Sequence, residues 1–402
     1  MISNEFGNLV PEVEKELGNE FEAINHFVFE HPELGLREHK SAAYLAEYMK
    51  KKNFRVETPY CGFDTAFCAQ WGEEGPVIAF LAEYDALPGY GEDKHNGHAC
   101  GHNWIAATTT GAAAVLAEVC RRKNIQARIR LIGTPAEETY CAKVKMVEDG
   151  IFSDVDCAIQ AHLSSGTCIC PKALALTALD IRYKGKAAHS SMAPWDGINA
   201  LDAVQLFYAG VNALRQHVKP DIRLHGVVTE GGQAANIVPD KASCLFYVRS
   251  AHRNYLNTVL AKVLNVAKGS ALMTGAELEI RYPELPMDDL VDLPALEELV
   301  DQHLRAQGVI PTVSAEEAAL LAGSTDIGNV SHVCPTCYFE VGLASPEPFE
   351  AHQESALSLV DSPYAYERLH QVVNTMAGMG LELILDPELR KCVRQEFTDS
   401  TK

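Results

Sequence analysis

The 402-residue chain is short of basic side chains: 34 Lys and Arg stand against 54 Asp and Glu, a net charge of −20. Nucleic acid and anionic membrane surfaces both bind through a basic face, so neither is expected as a partner. No apolar run approaches the ~18 residues that a membrane-spanning helix needs. The first residues, Met1-Ile2-Ser3-Asn4-Glu5-Phe6, lack the basic and apolar regions of a secretion signal. There is no low-complexity tract and no evident internal repeat. The twelve cysteines have no regular spacing, which argues against a disulfide framework and suits mostly buried thiols in a reducing cytoplasm. Even Cys334-Pro335-Thr336-Cys337 sits in an apolar stretch and does not open a helix after a strand, so it reads as buried thiols.

What is present is the composition of globular domains, 47% hydrophobic and 22% charged. The length exceeds one ordinary core and predicts two domains, either in succession or one inserted in the other. The most unusual stretch is Asn96-Gly97-His98-Ala99-Cys100-Gly101-His102-Asn103. It places His98, Cys100 and His102 at alternate positions between glycines. Thiolate and neutral imidazole are the donors that zinc-like ions prefer, so the stretch reads as a metal-binding turn.

Residues 8 to 53 read as helical, with a break at His31-Pro32-Glu33-Leu34-Gly35. Strand-like and helix-like segments then alternate. Val77 to Ala82 is a continuous apolar run, as expected of a strand buried on both faces, and it leads into Glu83-Tyr84-Asp85. A helix from Ile105 to Arg121 precedes a strand Arg128 to Ile132, which ends in Gly133-Thr134-Pro135-Ala136-Glu137-Glu138. A further strand, Cys157 to Gln160, ends at Ala161-His162-Leu163. Such alternation predicts an α/β domain with a mostly parallel sheet flanked by helices, and ligands then bind beyond the carboxyl ends of the strands. Asp85, Glu137, Glu138 and His162 all fall there.

From about residue 174 the pattern becomes β-α-β-β-α-β with one wet face, the order of a ferredoxin-like α+β unit. We therefore expect a catalytic domain in two parts, 1–174 and 287–402, with an inserted domain at 175–286. The second part resumes with a helix near Pro294, a strand Cys337 to Val341 and a long helix Tyr364 to Leu385.

The adjacent carboxylates Glu137 and Glu138 point in different directions, so one can bind a metal while the other serves a cation-activated water as general base. Cys100, His102, Glu138, His162 and His352 supply enough donors for two metal ions with open positions. Their dispersed spacing favours catalysis over a single structural zinc.

The stretches that carry these residues run in a familiar order: His31-Pro32-Glu33-Leu34-Gly35, Asp85-Ala86-Leu87-Pro88, His98-Ala99-Cys100-Gly101-His102, Pro135-Ala136-Glu137-Glu138, Ala187-Ala188-His189-Ser190-Ser191, Gly231-Gly232 through Asn236, and His352. In this the whole chain resembles the amidohydrolase branch of the aminoacylase/carboxypeptidase family of two-metal peptidases. Similar members are p-aminobenzoyl-glutamate hydrolases, indole-acetyl-amino-acid hydrolases and β-alanyl-lysine-type dipeptidases. The resemblance implies that Cys100 bridges two divalent ions (zinc or manganese, with cobalt possible), and that His102, Glu138, His162 and His352 complete their shells. It makes Glu137 the general base and Asp85 a support for the site. His189 would reach the active site of a partner subunit in a homodimer formed through the inserted domain, which would also close as a lid. Asn236 and Arg249 would hold a substrate carboxylate, a task for which the Arg fork is suited. Ser324 and Thr325, in Gly323-Ser324-Thr325-Asp326, would line the substrate site. Asn103 departs from the Asp of many members and points toward the aminobenzoyl-glutamate and dipeptidase-like ones.

The expected reaction is hydrolysis of an amide bond next to a free carboxylate, in an N-acyl amino acid, an aminobenzoyl-glutamate-like compound or a dipeptide. A dipeptidase that requires a free amino group on the acyl side is the nearest alternative. A non-hydrolytic binding subunit is the more distant one, and intact Glu137, Glu138, Cys100 and His102 count against it.

Overall fold

The computed structural model describes residues 8–401, and its backbone clusters into two compact units. The first comprises residues up to Lys172 together with Leu290–Ala322 and Asn329–Lys402; the second comprises Ala173–Asp289 and Gly323–Gly328.

The first unit is a mixed α/β structure around a six-stranded sheet. Its strands lie in the order Arg55–Glu57, Phe67–Trp71, Arg128–Gly133, Val77–Ala82, Cys157–Ser164, Thr336–Gly342. The last four pair in parallel, while the first two add an antiparallel edge. Every residue of Val77–Ala82 is buried, which is why that segment carries no polar alternation. Helix His102–Lys123 packs among the strands and the helices Leu9–Phe29 and Pro363–Leu385. It is so deeply buried that its threonines turn inward on the helix: Thr108 and Thr109 donate to the carbonyls of Trp104 and Ile105 at 2.9 and 2.6 Å.

Two boundaries differ from the sequence expectation and both move a candidate residue. The helix begins at His102 rather than Ile105, because Gly101 takes a left-handed φ of +78° that turns the chain into it. The strand after Val155 runs to Ser164, through His162, because Thr336–Gly342 pairs alongside it and sets Glu340 opposite His162. Also unforeseen are the strands Arg55–Glu57 and Phe67–Trp71, the ribbon Leu87–Tyr90/His95–Gly97, and the helix Pro387–Ser400.

The second unit has a four-stranded antiparallel sheet in the order Glu277–Arg281, Ala175–Lys184, Lys241–Ser250, Arg223–Glu230. Helices Ala200–Leu214 and Arg253–Thr274 cover one face, burying Phe207, Val211, Val259 and Val263 against Ile181, Cys244 and Phe246. The first of these helices is capped by Asn199, whose side chain accepts from the amides of Leu201 and Asp202. Strand Arg223–Glu230 forms an edge on which Val227 and Val228 are exposed. Among the described residues no helix is long and apolar enough to cross a membrane.

Candidate metal centre

The parallel strands of the first unit deliver their chemistry at their carboxyl ends. Val77–Ala82 runs into Glu83 and Asp85, Arg128–Gly133 into Glu137 and Glu138, and Cys157–Ser164 carries His162. Cys100 and His102 straddle the left-handed Gly101 at the start of the buried helix, where a Cβ would meet Leu163 at 3.0 Å. His352 comes from the far end of the chain in a left-handed conformation of its own (φ +66°), its amide donating to Ala99 O at 2.9 Å.

These side chains converge. Cys100 Sγ lies 3.7 Å from His162 Nε2, and His352 Nε2 lies 3.1 Å from Glu138 Oε1. Donor atoms of Cys100, His102 and His162 fall within 4.8 Å of one another, and so do those of Cys100, Glu138 and His352. The thiol is common to both groups. A third such group joins Glu137 to His102 and Glu138.

The ring orientations are fixed from behind. His102 Nδ1 donates to Asp85 Oδ1 at 2.8 Å, and the other oxygen of Asp85 accepts the amide of Glu138 at 3.1 Å. His162 Nδ1 donates to Leu163 O at 2.7 Å, since a carbonyl can only accept. In their neutral forms both histidines therefore turn an Nε2 lone pair inward, the arrangement that second partners impose on metal-bound imidazoles. Asp85 supports the site in this way without itself facing the donors.

The electrostatics favour positive charge at this centre. Burial opposes charging His102, yet Asp85 and then Cys100 hold its pKa well above the ordinary value. Burial likewise opposes ionisation of Glu138, but the hydrogen bond to His352 and the charge of His102 pull it down to about 2. The Cys100 thiol is pushed well up by burial and then by Glu138; a bound cation would reverse this. His102 Nε2 and Glu83 Oε2 are buried, carry no hydrogen bond and lie 3.6 Å apart, too far for a hydrogen bond of their own. Orphaned buried polar atoms at the heart of a sulphur, nitrogen and oxygen donor set fit divalent ions.

His98 is not part of the set. It is fully buried, hydrogen-bonds Val28 O at 3.0 Å through Nε2, and burial takes its pKa down to about 3. Alternate positions share a face only in extended chain, and the turn at Gly101 breaks that geometry. Asn103 also turns away, donating to Asn25 Oδ1 and Val360 O.

His189, Asn236, Arg249, Ser324 and Thr325 belong to the second unit. His189 is exposed; its Nδ1 accepts from the amides of Ser191 and Met192 at 3.3 Å, so Nε2–H is the outward-facing donor. Asn236 is exposed beside it, its carbonyl accepting from the Ser190 amide at 3.1 Å. Arg249 is half-buried and donates to Ser324 Oγ at 3.0 Å, while its Nε carries no hydrogen bond. Thr325 follows Ser324 and is half-buried.

Sequence reasoning passed over Glu83, Lys143 and Gln160. Glu83 stands two residues before Asp85 at the end of a strand, and that period-two spacing was the available signal. Lys143 reads as a surface lysine within Ala142-Lys143-Val144-Lys145 but is fully buried, its Nζ 2.6 Å from Glu83 Oε1.

The sequence profile described as Peptidase family M20/M25/M40 matches residues 79–375. The mouse (Mus musculus) Xaa-Arg dipeptidase is 32% identical over 394 residues, covering 93% of this chain and 88% of the mouse protein. One of the p-aminobenzoyl-glutamate hydrolase polypeptides of Escherichia coli (strain K12) is 28% identical, covering 93% of this chain and 91% of that one. Among solved structures, a dinuclear metal-binding peptidase of the M20 family from Bacillus subtilis shares the fold with a TM-score of 0.64. It is 22% identical, over 89% of this chain and 98% of that one.

Proposed function

The chain belongs to peptidase family M20/M25/M40, and on that premise we propose that it hydrolyses an amide bond adjacent to a free carboxylate at a centre of two divalent ions. The observation that carries this reading is the pair of donor groups that share Cys100, with Glu137 beside them. Cys100, His102 and His162 would hold one ion, and Cys100, Glu138 and His352 the other; thiolate and imidazole suit zinc, and the carboxylate equally admits manganese or cobalt. When bound, the ions supply Lewis-acid polarisation of the amide carbonyl and lower the pKa of water.

The chain's own residues do the rest. Glu137 takes the proton of the attacking water and returns it to the departing nitrogen, so that an acid and an amine leave. Asp85 keeps His102 in the tautomer that turns Nε2 inward. Arg249, with an uncommitted Nε and Ser324 at its side, holds the substrate carboxylate together with Asn236, and Thr325 lines the same site. The outward Nε2–H of His189 donates to the scissile carbonyl of a substrate bound in the partner subunit. The inserted unit, with the strand order of a ferredoxin-like fold, serves as lid and dimerisation module, and its exposed Val227–Val228 edge supports strand-to-strand pairing between two copies. All twelve cysteines are free thiols, which supports a cytoplasmic location.

The names of the two relatives share a chemical feature: a Xaa-Arg dipeptide and an aminobenzoyl-glutamate both carry a carboxylate beside the scissile amide. Purified protein loaded with Zn²⁺ or Mn²⁺ should cleave members of a panel of dipeptides and N-acyl amino acids, with metal content near two ions per chain. Amidation of the substrate's C-terminus should remove the activity. A panel left intact by fully metal-loaded protein would favour a non-hydrolytic binding role instead.

A further inference from the structure

Glu83 is a buried carboxylate, 1% exposed, at the mouth of the central strand, and the reaction as derived above leaves it without a task. Its Oε1 accepts from Lys143 Nζ at 2.6 Å and from Gln160 Nε2 at 2.8 Å. Lys143 is itself fully buried in helix Ala142–Glu148, just after the turn that bears Glu137 and Glu138, and Gln160 is fully buried in the neighbouring strand. Two donors from two elements thus fix one carboxylate oxygen and leave the other, Oε2, with no hydrogen bond.

That second oxygen faces His102 Nε2 at 3.6 Å. Because His102 Nδ1 is committed to Asp85, Nε2 presents a lone pair. With the ring neutral these are two desolvated acceptors pointed at each other, and they repel until a proton or a metal ion comes between them. A carboxylate oxygen of Glu83 also lies within 4.8 Å of one of Glu137. A mere core ion pair would need no such aim, since Lys143 could have been met by both oxygens in a fork.

We propose that Glu83 is a further protein ligand of the ion held by His102, acting through Oε2 alone, and that Lys143 and Gln160 are the positioning residues that aim it. The inference rests on the two-ion reading above. Lys143 also offsets the charge of Glu83, so that the ligand adds a donor oxygen without adding a full negative charge to an already acidic centre. The consequence is an unequal pair of sites: one ion is seated deeper and more tightly than the other.

The test is binding of metal, independent of turnover. Metal-free protein is titrated calorimetrically with Mn²⁺ and with Zn²⁺, and ion content is checked by elemental analysis. Wild type should take up two ions. Glu83→Gln should bind one ion as before and the other roughly 10- to 100-fold more weakly. The double variant Glu83→Gln/Lys143→Met removes both buried charges and keeps the volumes, so its melting temperature should return to wild type while the weakened site stays weak. If the double variant binds both ions as wild type does while Glu138→Gln loses one, the pair is structural only and the proposal falls with the two-ion reading intact. If wild type takes up no ions, both fall. Should neither Glu83→Gln chain fold, Glu83→Asp keeps the charge for Lys143 and withdraws the oxygen by one methylene. Its Co²⁺-loaded visible spectrum should then differ from that of wild type, and identical spectra would overturn the assignment.

Discussion

In the first unit, His102 is fully buried, Asp85 fixes its ring, and the Glu138 amide is tied to that same Asp85. In the second unit, His189 and Asn236 stand exposed, on two loops joined by the backbone hydrogen bond from Ser190 to Asn236. The first region has already met the cost of taking charged groups out of water, and its donors are arranged before any ligand arrives. His189 and Asn236 have met none of it, because their polar groups are still in water. On the proposed function, the contrast separates the group that serves bond-making, Glu137, from the groups that would recognise and enclose.

The most severe way to break that contrast is to exchange the two kinds of lesion. Glu137→Gln should lower kcat by roughly 10²- to 10⁴-fold, the range for loss of a general base, with metal content unchanged. His189→Ala should lower kcat about a hundredfold with melting temperature unchanged, as expected of an exposed donor. Mixing the two variant chains should restore part of the activity in hybrid dimers; activity no higher than that of either parent would show that His189 does not act across subunits.

A milder lesion sharpens the contrast from the recognition side. Arg249→Lys should raise KM about tenfold with kcat held, the loss of one charge-assisted contact to a carboxylate. A fall in kcat at constant KM would instead put Arg249 among the groups that act only in the transition state.

The smallest effect probes the packing of the first unit alone. His370 lies between Glu14 (2.6 Å) and Glu22 (2.9 Å), and the hydrogen bond to Glu14 outweighs burial to raise its pKa to about 9. A histidine whose pKa is higher folded than unfolded stabilises fully below its unfolded value of about 6.5, and that contribution fades as pH climbs through 9. The melting temperature of wild type should therefore drop more steeply between about pH 6.5 and 9.5 than that of His370→Gln, by a few degrees at most. Parallel curves would show that the cluster is electrostatically idle.

Much of the first region was legible because parallel α/β sheets put ligands at strand ends, so an acidic pair after an apolar run could be located without any pairing information. The antiparallel edge Phe67–Trp71 was not, since Phe67-Cys68-Ala69-Gln70-Trp71 carries no alternation and becomes a strand only by pairing with Arg128–Gly133. Lys143 was missed for a related reason: a helix of seven residues is too short for its pattern to announce which face is buried. His98 stands outside the donor set that the resemblance implies, and the structure gives the reason: alternate spacing suggests a face shared with Cys100 and His102, which the turn at Gly101 abolishes.

The seating of His352 has a consequence for how this protein is made. The strand that precedes it, Thr336–Gly342, pairs with Cys157–Ser164, and the His352 amide reaches back to Ala99. On the ribosome the nascent chain passes residue 164 and then elongates through the whole of the second unit before that partner strand emerges. At about 5–20 residues per second the wait is roughly ten to thirty seconds, during which a parallel edge beside His162 stands open. A nascent chain thus has no complete donor set and an adhesive edge at the same time, so slowed translation or truncation before residue 352 should yield aggregates rather than a partly active enzyme.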